Sequence, residues 1–307
     1  MKIHLANQSK QGLGGGWTFM HNLVKGLELI KADVQFTDDA NKADIFFISS
    51  ASMVKDRELV YGAKARGQKV VLRVDNIPRN SRNSNCGTTK LYDYAQVADW
   101  TIFQSEWAKA KILPLLDSER DEINGNGLYG EGGKKQFEEK RSSIILNGVN
   151  THIFTSKGDK EPKVDIDERY LIVRYNRDNN KRIEEALDMF TKEWIKNKNI
   201  ELWIVGQFSR DMVASHFDFY LGEKYNFKGV IENRTQLAGL MRSCDTLIYP
   251  SYSDACPNTA LEARACGLHV IHNGHAGIPE VMNPDLDIRL ERMATEYYNL
   301  FKGLCVK

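Results

Sequence analysis

Two carboxylates stand eight positions apart in SYSDACPNTALEARACGLHVIHNGHAGIPEV, Ser251 to Val281: Asp254 in a turn, and Glu262 on the helix that Pro257 opens. Proline suits a first helical turn, because its missing N–H has no partner there and its φ is already set. Along that helix Asn258, Leu261, Glu262 and Ala265 are neighbours at three- and four-residue spacing, so Glu262 points to one side from the first turns. A carboxylate so placed can accept hydrogen bonds from both vicinal hydroxyls of a ribose. Asp254, ahead of the helix, can take hydroxyls of a second polyol, while backbone N–H groups at the helix start take a phosphate between them. The competing possibility is a capping role for Asp254 and a solvated helical acid at Glu262. Taken alone, the two acids leave that possibility standing.

Two further segments could bind an anion. In YLIVRYNRDNNKRIEEAL, Tyr170 to Leu187, a strand runs into a basic turn, and Arg174, Arg177, Lys181 and Arg182 converge at its carboxyl end, where open α/β sheets bind ligands. Arginine offers a fork to phosphate oxygens and lysine a point charge; the competing possibility is a solvated turn in which Arg182 pairs with Glu184 or Glu185. In QGLGGGWTF, Gln11 to Phe19, the glycines Gly12, Gly14, Gly15 and Gly16 follow a strand and open a helix, so backbone can approach a ligand closely. The spacing is neither that of a dinucleotide fingerprint nor that of a P-loop. The seven histidines, His4, His21, His152, His216, His269, His272 and His275, show no metal spacing; His275 alone lies in a turn expected to face the site of the two acids.

These residues need a scaffold, and the chain supplies it as short apolar runs alternating with amphipathic segments, the pattern of βα units around a parallel sheet. The first-half strands are KIHLA (2–6), DVQFT (33–37), DIFFISS (44–50), KVVLRV (69–74), WTIFQS (100–105) and SSIILN (142–147), with helices over 17–30, 57–65 and 106–116. After residue 168 the period restarts with RYLIVRY, IELWIVG, NFKGVI, DTLIYPS and HVIHN as strands and KRIEEALDMFTKEWIK and PNTALEARACG as helices. Two consecutive α/β sets predict two doubly wound domains with a cleft between them. The polar stretch 155–168 marks the boundary, and 117–141, rich in glycine and charge, reads as a loop that is either a solvated excursion or a lid over the cleft.

Composition narrows the class. With 42% hydrophobic and 27% charged residues over 307 positions the chain can bury two modest cores, and a net charge of +1 gives no global field for nucleic acid or an anionic membrane. Five scattered cysteines without a C-x-x-C pair fit a reducing compartment. No apolar run is long enough to span a bilayer and none reads as a signal peptide, so the expectation is a cytoplasmic protein with peripheral membrane contact left open.

The stretch from Asp254 onward resembles the retaining nucleotide-sugar glycosyltransferases of the GT-B fold, family 4. Their pattern of an acid, seven residues, Glu-Ala, a small residue and Cys-Gly, then a Val-Ile run and Gly-Ile-Pro-Glu-Val, is matched by Asp254, Glu262-Ala263, Ala265-Cys266-Gly267-Leu268, Val270-Ile271 and Gly277 to Val281. LNGVNTHIF (146–154) is similar to the family's interdomain segment, ADWTIFQSEWAKAKI (98–112) to the strand and helix before it, YNRDNNKR to its phosphate-binding turn, and GLGGG to its N-terminal glycine loop. The resemblance runs from residue 1 to about 282.

It implies a GT-B architecture of two Rossmann-like domains: an acceptor-side domain over 1–154, a donor-binding domain over 155–290, and a terminal helix over 291–307 that could cross back. It also implies transfer of a sugar from a nucleoside diphosphate sugar to a carbohydrate or glycoconjugate hydroxyl with retention, and no cofactor or metal. In that scheme Glu262 binds the donor ribose, and Arg177 with Lys181, or Arg182 in its place, the pyrophosphate. Asp254, where the family usually has Glu, holds hydroxyls of the transferred sugar. Ala255, Cys256, Pro257, Asn258 and Thr259 line the donor, and Gly15 and Gly16 let the first helix approach it. The sequence departs from the family at Asp75, where many members have His, and in the short segment after Glu280; Arg73 and Asp75 become the residues expected to meet the acceptor or reaction centre, unless they form only a strand-end ion pair. Asp254, Arg177, Lys181 and Asp75 are the expected catalytic set. Two other roles remain conceivable: a nucleotide-sugar epimerase of the same fold, which uses cleft carboxylates as acid and base, and a non-catalytic donor-binding partner of another transferase.

Overall fold

A computed structural model describes residues 1–6, 15–54, 56–75, 85–117, 141–174, 182–207 and 225–306. The expected loop over 117–141 lies almost wholly outside them, as do Arg177 and Lys181. The first set of elements is β1 (Lys2–Leu5), α1 (Gly15–Leu29), β2 (Gln35–Phe36), β3 (Ile45–Ile48), α2 (Arg57–Ala65), β4 (Lys69–Val74), α3 (Asn85–Val97), β5 (Trp100–Phe103), α4 (Glu106–Asp117) and β6 (Ser142–Ile144). Its sheet is wholly parallel, in the order β2-β1-β3-β4-β5-β6. A parallel sheet is covered on both faces by its crossovers, so every position of IFFI in β3 is buried.

The second set is β7 (Glu168–Arg174), α5 (Ile183–Lys196), β8 (Ile200–Gly206), β9 (Tyr225–Gly229), α6 (Arg234–Arg242), β10 (Thr246–Ile248), α7 (Asn258–Ala265), β11 (His269–Ile271) and α8 (Ile278–Val281). It too is parallel throughout, in the order β11-β10-β7-β8-β9. The apolar stripe of α5 (Ile183, Ala186, Leu187, Phe190) packs with Tyr170, Leu202 and Ile204 in the core of this sheet. Gly206, with φ of 123°, closes β8, and a Cβ there would lie 1.6 Å from the Arg174 carbonyl oxygen at the end of β7, so only glycine fits.

Internal contacts divide the chain into two compact units. The first comprises Met1–Gln11, Phe19–Asn147 and Glu291–Lys307; the second comprises Gly12–Thr18 and Gly148–Leu290. The last helix, α9 (Leu290–Cys305), joins the first unit through aromatic packing: the rings of Tyr297 and Phe301 lie 5.8 and 5.4 Å from that of Phe47. Arg292 adds a fork, Nη1 donating to the Leu146 carbonyl and Nη2 to that of Asn147, each at 2.8 Å.

Strand order fixes where each unit offers its ends. In the second sheet the chain starts at β7, passes to β8 and β9, then returns on the other side at β10, so the order reverses between β7 and β10. In the first sheet the reversal falls between β1 and β3. Crevices outside the carboxyl ends of such strand pairs are where open α/β sheets take ligands.

Among the described residues three helices escape the sequence reading: α3, α6 and the four-residue α8. In α6 the buried residues Leu237, Ala238 and Met241 do keep helical spacing and Asn233 caps the start, its Oδ1 accepting from Gln236 N at 3.0 Å. Gly239 and two arginines within nine residues hold its apolar density down, which hides it.

Candidate functional site

The two acids of the opening motif follow the carboxyl end of β10, on the reversal side of the second sheet. Tyr249, buried just past the strand, donates its hydroxyl to Asp254 Oδ2 at 2.7 Å, and the Asp254 carbonyl accepts from Gly277 N at 3.0 Å. The first bond orients the carboxylate and the second ties its turn to the loop carrying His275. Asp254 is half-buried, Ala255, Cys256 and Pro257 are buried, and Asn258 and Thr259 at the start of α7 are half-buried. Pro257 holds the N-cap position of α7 with φ of −69°. Asn258 Nδ2 donates to the carbonyl of Gly15, which belongs to the same unit, at 3.4 Å. Gly16 beside it is half-buried.

Glu262 is the sharper finding. It is not a solvated helical acid: only 3% of the residue is exposed, and Arg234 Nη2 from α6 donates to its Oε1 in an ion pair. Burial raises its carboxyl above the ordinary range, and the charge and hydrogen bond of Arg234 oppose that rise. Among the described residues Oε2 makes no hydrogen bond. A diol meeting this acid therefore finds one oxygen engaged and one available, rather than the two that the sequence suggested. Arg234 also places its Cζ 4.7 Å from the ring centroid of Phe154.

The basic turn is represented by Arg174 and Arg182. Arg174, ending β7, is buried. Arg182 stands at the N-cap of α5 in the left-handed region, φ of 45°, and its Nε pairs with Glu185, the neighbour weighed for it in the sequence. Its Cζ lies 4.5 Å from the ring centroid of exposed Tyr252, whose hydroxyl faces Glu185 Oε1 at 3.4 Å and whose ring stacks on His275 at 4.5 Å. A cavity of about 140 Å³ opens beside Arg182, Ile183, Glu184 and Glu185.

In the first unit Arg73 and Asp75 close β4. Arg73 is 2% exposed and bonds inward: Nη1 donates to the Ser49 carbonyl at 3.1 Å, and Nη2 to Gln104 Oε1 at 2.7 Å and Asn147 Oδ1 at 3.1 Å. Its Cζ lies 3.5 Å from the centroid of the Phe19 ring. Asp75 is half-buried.

Among the described residues no group of three or more His, Cys, Asp or Glu comes together. Burial pushes the Cys266 thiol up to about 12 and that of Cys244 higher still, which leaves both protonated. No described helix is long and apolar enough to cross a membrane.

Sequence reasoning missed Arg234, Tyr249 and Tyr252. Tyr252 sits within the quoted motif, but nothing in its spacing marked it as the ring that Arg182 and His275 share.

The chain is similar to known proteins in fold over nearly its whole length and in sequence over part of it. By fold, the chain has the GT-B architecture, two parallel α/β sheets with helices on their faces. It superposes on Anabaena Alr3699/HepE in complex with UDP-glucose (TM-score 0.63, 14% identity, 99% of this chain and 89% of that one). It also superposes on sucrose-phosphate synthase (tll1590) from Thermosynechococcus elongatus (0.63, 13%, 99% and 90%) and on the lipopolysaccharide outer core galactosyltransferase WaaB (0.58, 13%, 99% and 94%). By family, residues 170–293 match the model described as glycosyl transferases group 1. No curated protein was matched. The match spans β7 to α9, so it contains Asp254, Glu262 and Arg234, and with the fold it supports a sugar-transferring enzyme.

Proposed function

We propose that the chain transfers a glycosyl group from a nucleoside diphosphate sugar to an acceptor hydroxyl, with retention at the anomeric carbon. The observation that carries this reading is the pair of acids past β10: Glu262 buried but charge-paired with one oxygen available, and Asp254 half-buried and oriented by Tyr249. Glu262 takes the donor ribose and Asp254 the hydroxyls of the transferred sugar. The backbone N–H groups opening α7 and the basic turn, Arg177 with Lys181 or Arg182, take the pyrophosphate, where charge builds as the glycosyl bond breaks. Arg182 shares its charge with Glu185, which leaves the larger part to Arg177 and Lys181. Ala255 to Thr259, Gly15 and Gly16 form the backbone around the diphosphate. The bond from the anomeric carbon to the leaving phosphate oxygen breaks, the acceptor oxygen bonds to that carbon on the same face, and the acceptor proton passes to the departing phosphate oxygen. Asp75 is the acceptor-side residue. Scattered cysteines fit a cytoplasmic place for this chemistry.

The test is a thermal-shift screen of UDP, GDP, ADP and their sugars on the wild type and Glu262→Ala, because a ligand that binds only the folded state must stabilise it. UDP-glucose is the first donor to try, since it occupies the HepE structure. A shift with one nucleotide class, lost in the variant, is expected, and anomeric proton couplings of the product then report its configuration. No shift with any compound overturns the proposal, and an inverted product overturns retention.

A further inference from the structure

Glu262 enters the interior of the second unit with a guanidinium attached. Arg234 is the first residue of α6, whose start is pinned by the Asn233 cap. From there its side chain reaches across to α7, meeting the Phe154 ring and donating Nη2 to Glu262 Oε1. Phe154 is itself buried. The guanidinium is thus held at its backbone, its face and its tip.

The consequence lies in which oxygen is left. A glutamate carboxylate turns about its last torsion with broad, roughly two-fold preference, so an unbraced acid would present either oxygen to a ligand. The ion pair removes that freedom: Oε1 belongs to Arg234, and Oε2 makes no hydrogen bond among the described residues. The glutamate side chain is 4% exposed and that of the arginine 34%, so a partly solvated cation braces a dry anion. The same charge opposes the rise that burial causes in the pKa of the acid.

We propose that Arg234 is a positioning residue for donor recognition: by holding Oε1 it aims Oε2 at a ribose hydroxyl and so gives the site its preference for ribose over a sugar lacking those hydroxyls. This rests on the donor-site reading above and adds to it a residue and a selectivity. Arg234 does not touch the reacting atoms in this scheme; it acts through Glu262.

The experiment is a calorimetric titration of the full chain with UDP, GDP and ADP, followed by the 2′,3′-dideoxy form of whichever binds. Wild type is expected to bind the dideoxy form at least about tenfold more weakly, the scale of one hydrogen bond to a charged group. In Arg234→Met the ribonucleotide weakens and the two ligands converge; in Arg234→Lys part of the discrimination returns. A brace that served only the fold would weaken both ligands equally and leave their ratio as in wild type, which overturns the proposal. Should Arg234→Met fail to fold by its melting curve, Arg234→Lys and Arg234→Gln carry the same comparison. Equal binding of both ligands by wild type overturns the proposal and the ribose role of Glu262 together. Failure of all three nucleotides on wild type sinks the donor-site reading before any variant is made.

Discussion

Arg73 in the first unit and Glu262 in the second are both buried charges, and they are housed differently. Arg73 gives its Nη atoms to three neutral oxygens past the ends of neighbouring strands, while its Nε is buried without a partner among the described residues. The second unit buries the cations Arg169 and Arg174 and also an anion, Glu262, whose Oε1 is given to Arg234 and whose Oε2 makes no hydrogen bond among the described residues. An ion whose bonds run to strand ends acts as a clamp on the fold. Glu262 keeps an acceptor that no described residue engages, and under the proposed function that acceptor meets a ligand. On the proposed function, the contrast is between a strand charge held by the fold and a helix charge kept for a ligand.

The largest expected effect tests the clamp. Replacing Arg73 with Met removes the donor from three buried acceptors and should lower stability by about 3 kcal/mol, read as a lower midpoint in urea unfolding. Met fills much of the same volume, so packing over Phe19 changes little. A variant as stable as wild type would show that the cation is kept for something other than the fold, and the contrast between the units would collapse.

How much of this was legible in the sequence follows from the range of each interaction. Strands of a parallel sheet are buried on both faces, so runs such as IFFI and LWIV stand out as unbroken apolar segments, and strand existence was readable throughout. The strand ends were not: DIFFISS stops pairing at Ile48, because register with the neighbour decides the end. Asp254 and Glu262 were readable because turn and helix spacing is local. Their partners were not. Arg234 lies 28 positions from Glu262 on a separate helix of weak apolar pattern, and no local periodicity links the two. The same holds for Arg73, whose acceptors are 24 to 74 positions away. The sequence singles out Asp254 and Glu262 by local spacing, whereas Arg234, 28 positions from Glu262, has no local signal, and Tyr249, five positions from Asp254, has none that sets it apart from other strand-end aromatics.

A smaller effect probes Asp254. Tyr249→Phe keeps the buried ring and deletes the hydroxyl that donates to Oδ2, so stability should fall by about 1 kcal/mol. In the proposed enzyme the loss should appear chiefly in kcat with the nucleotide affinity unchanged, since Asp254 is assigned to the transferred sugar and Glu262 to the ribose. An equal loss of nucleotide affinity would mean that the two acids act as one unit.

The finest distinction is one of pH, and it separates stability from binding at the same carboxylate. Burial lifts the folded-state pKa of Glu262 above its ordinary value of 4.5, with Arg234 opposing the lift. The folded state therefore holds the proton more tightly than the unfolded chain. The stability that this supplies is complete below the ordinary value and is lost as pH rises through the lifted one. Glu262→Gln cannot ionise and loses nothing, so the stability of the variant relative to wild type should climb across that window. Nucleotide affinity should move the other way, because Oε2 accepts most strongly when charged: wild-type binding gains on the variant over the same window. The nucleotide's own phosphate titrates near about 6, but it does so against both proteins and cancels in their ratio. Opposite slopes for stability and affinity are the signature of an acid kept buried for a ligand, whereas parallel slopes would make Glu262 a structural charge like Arg73.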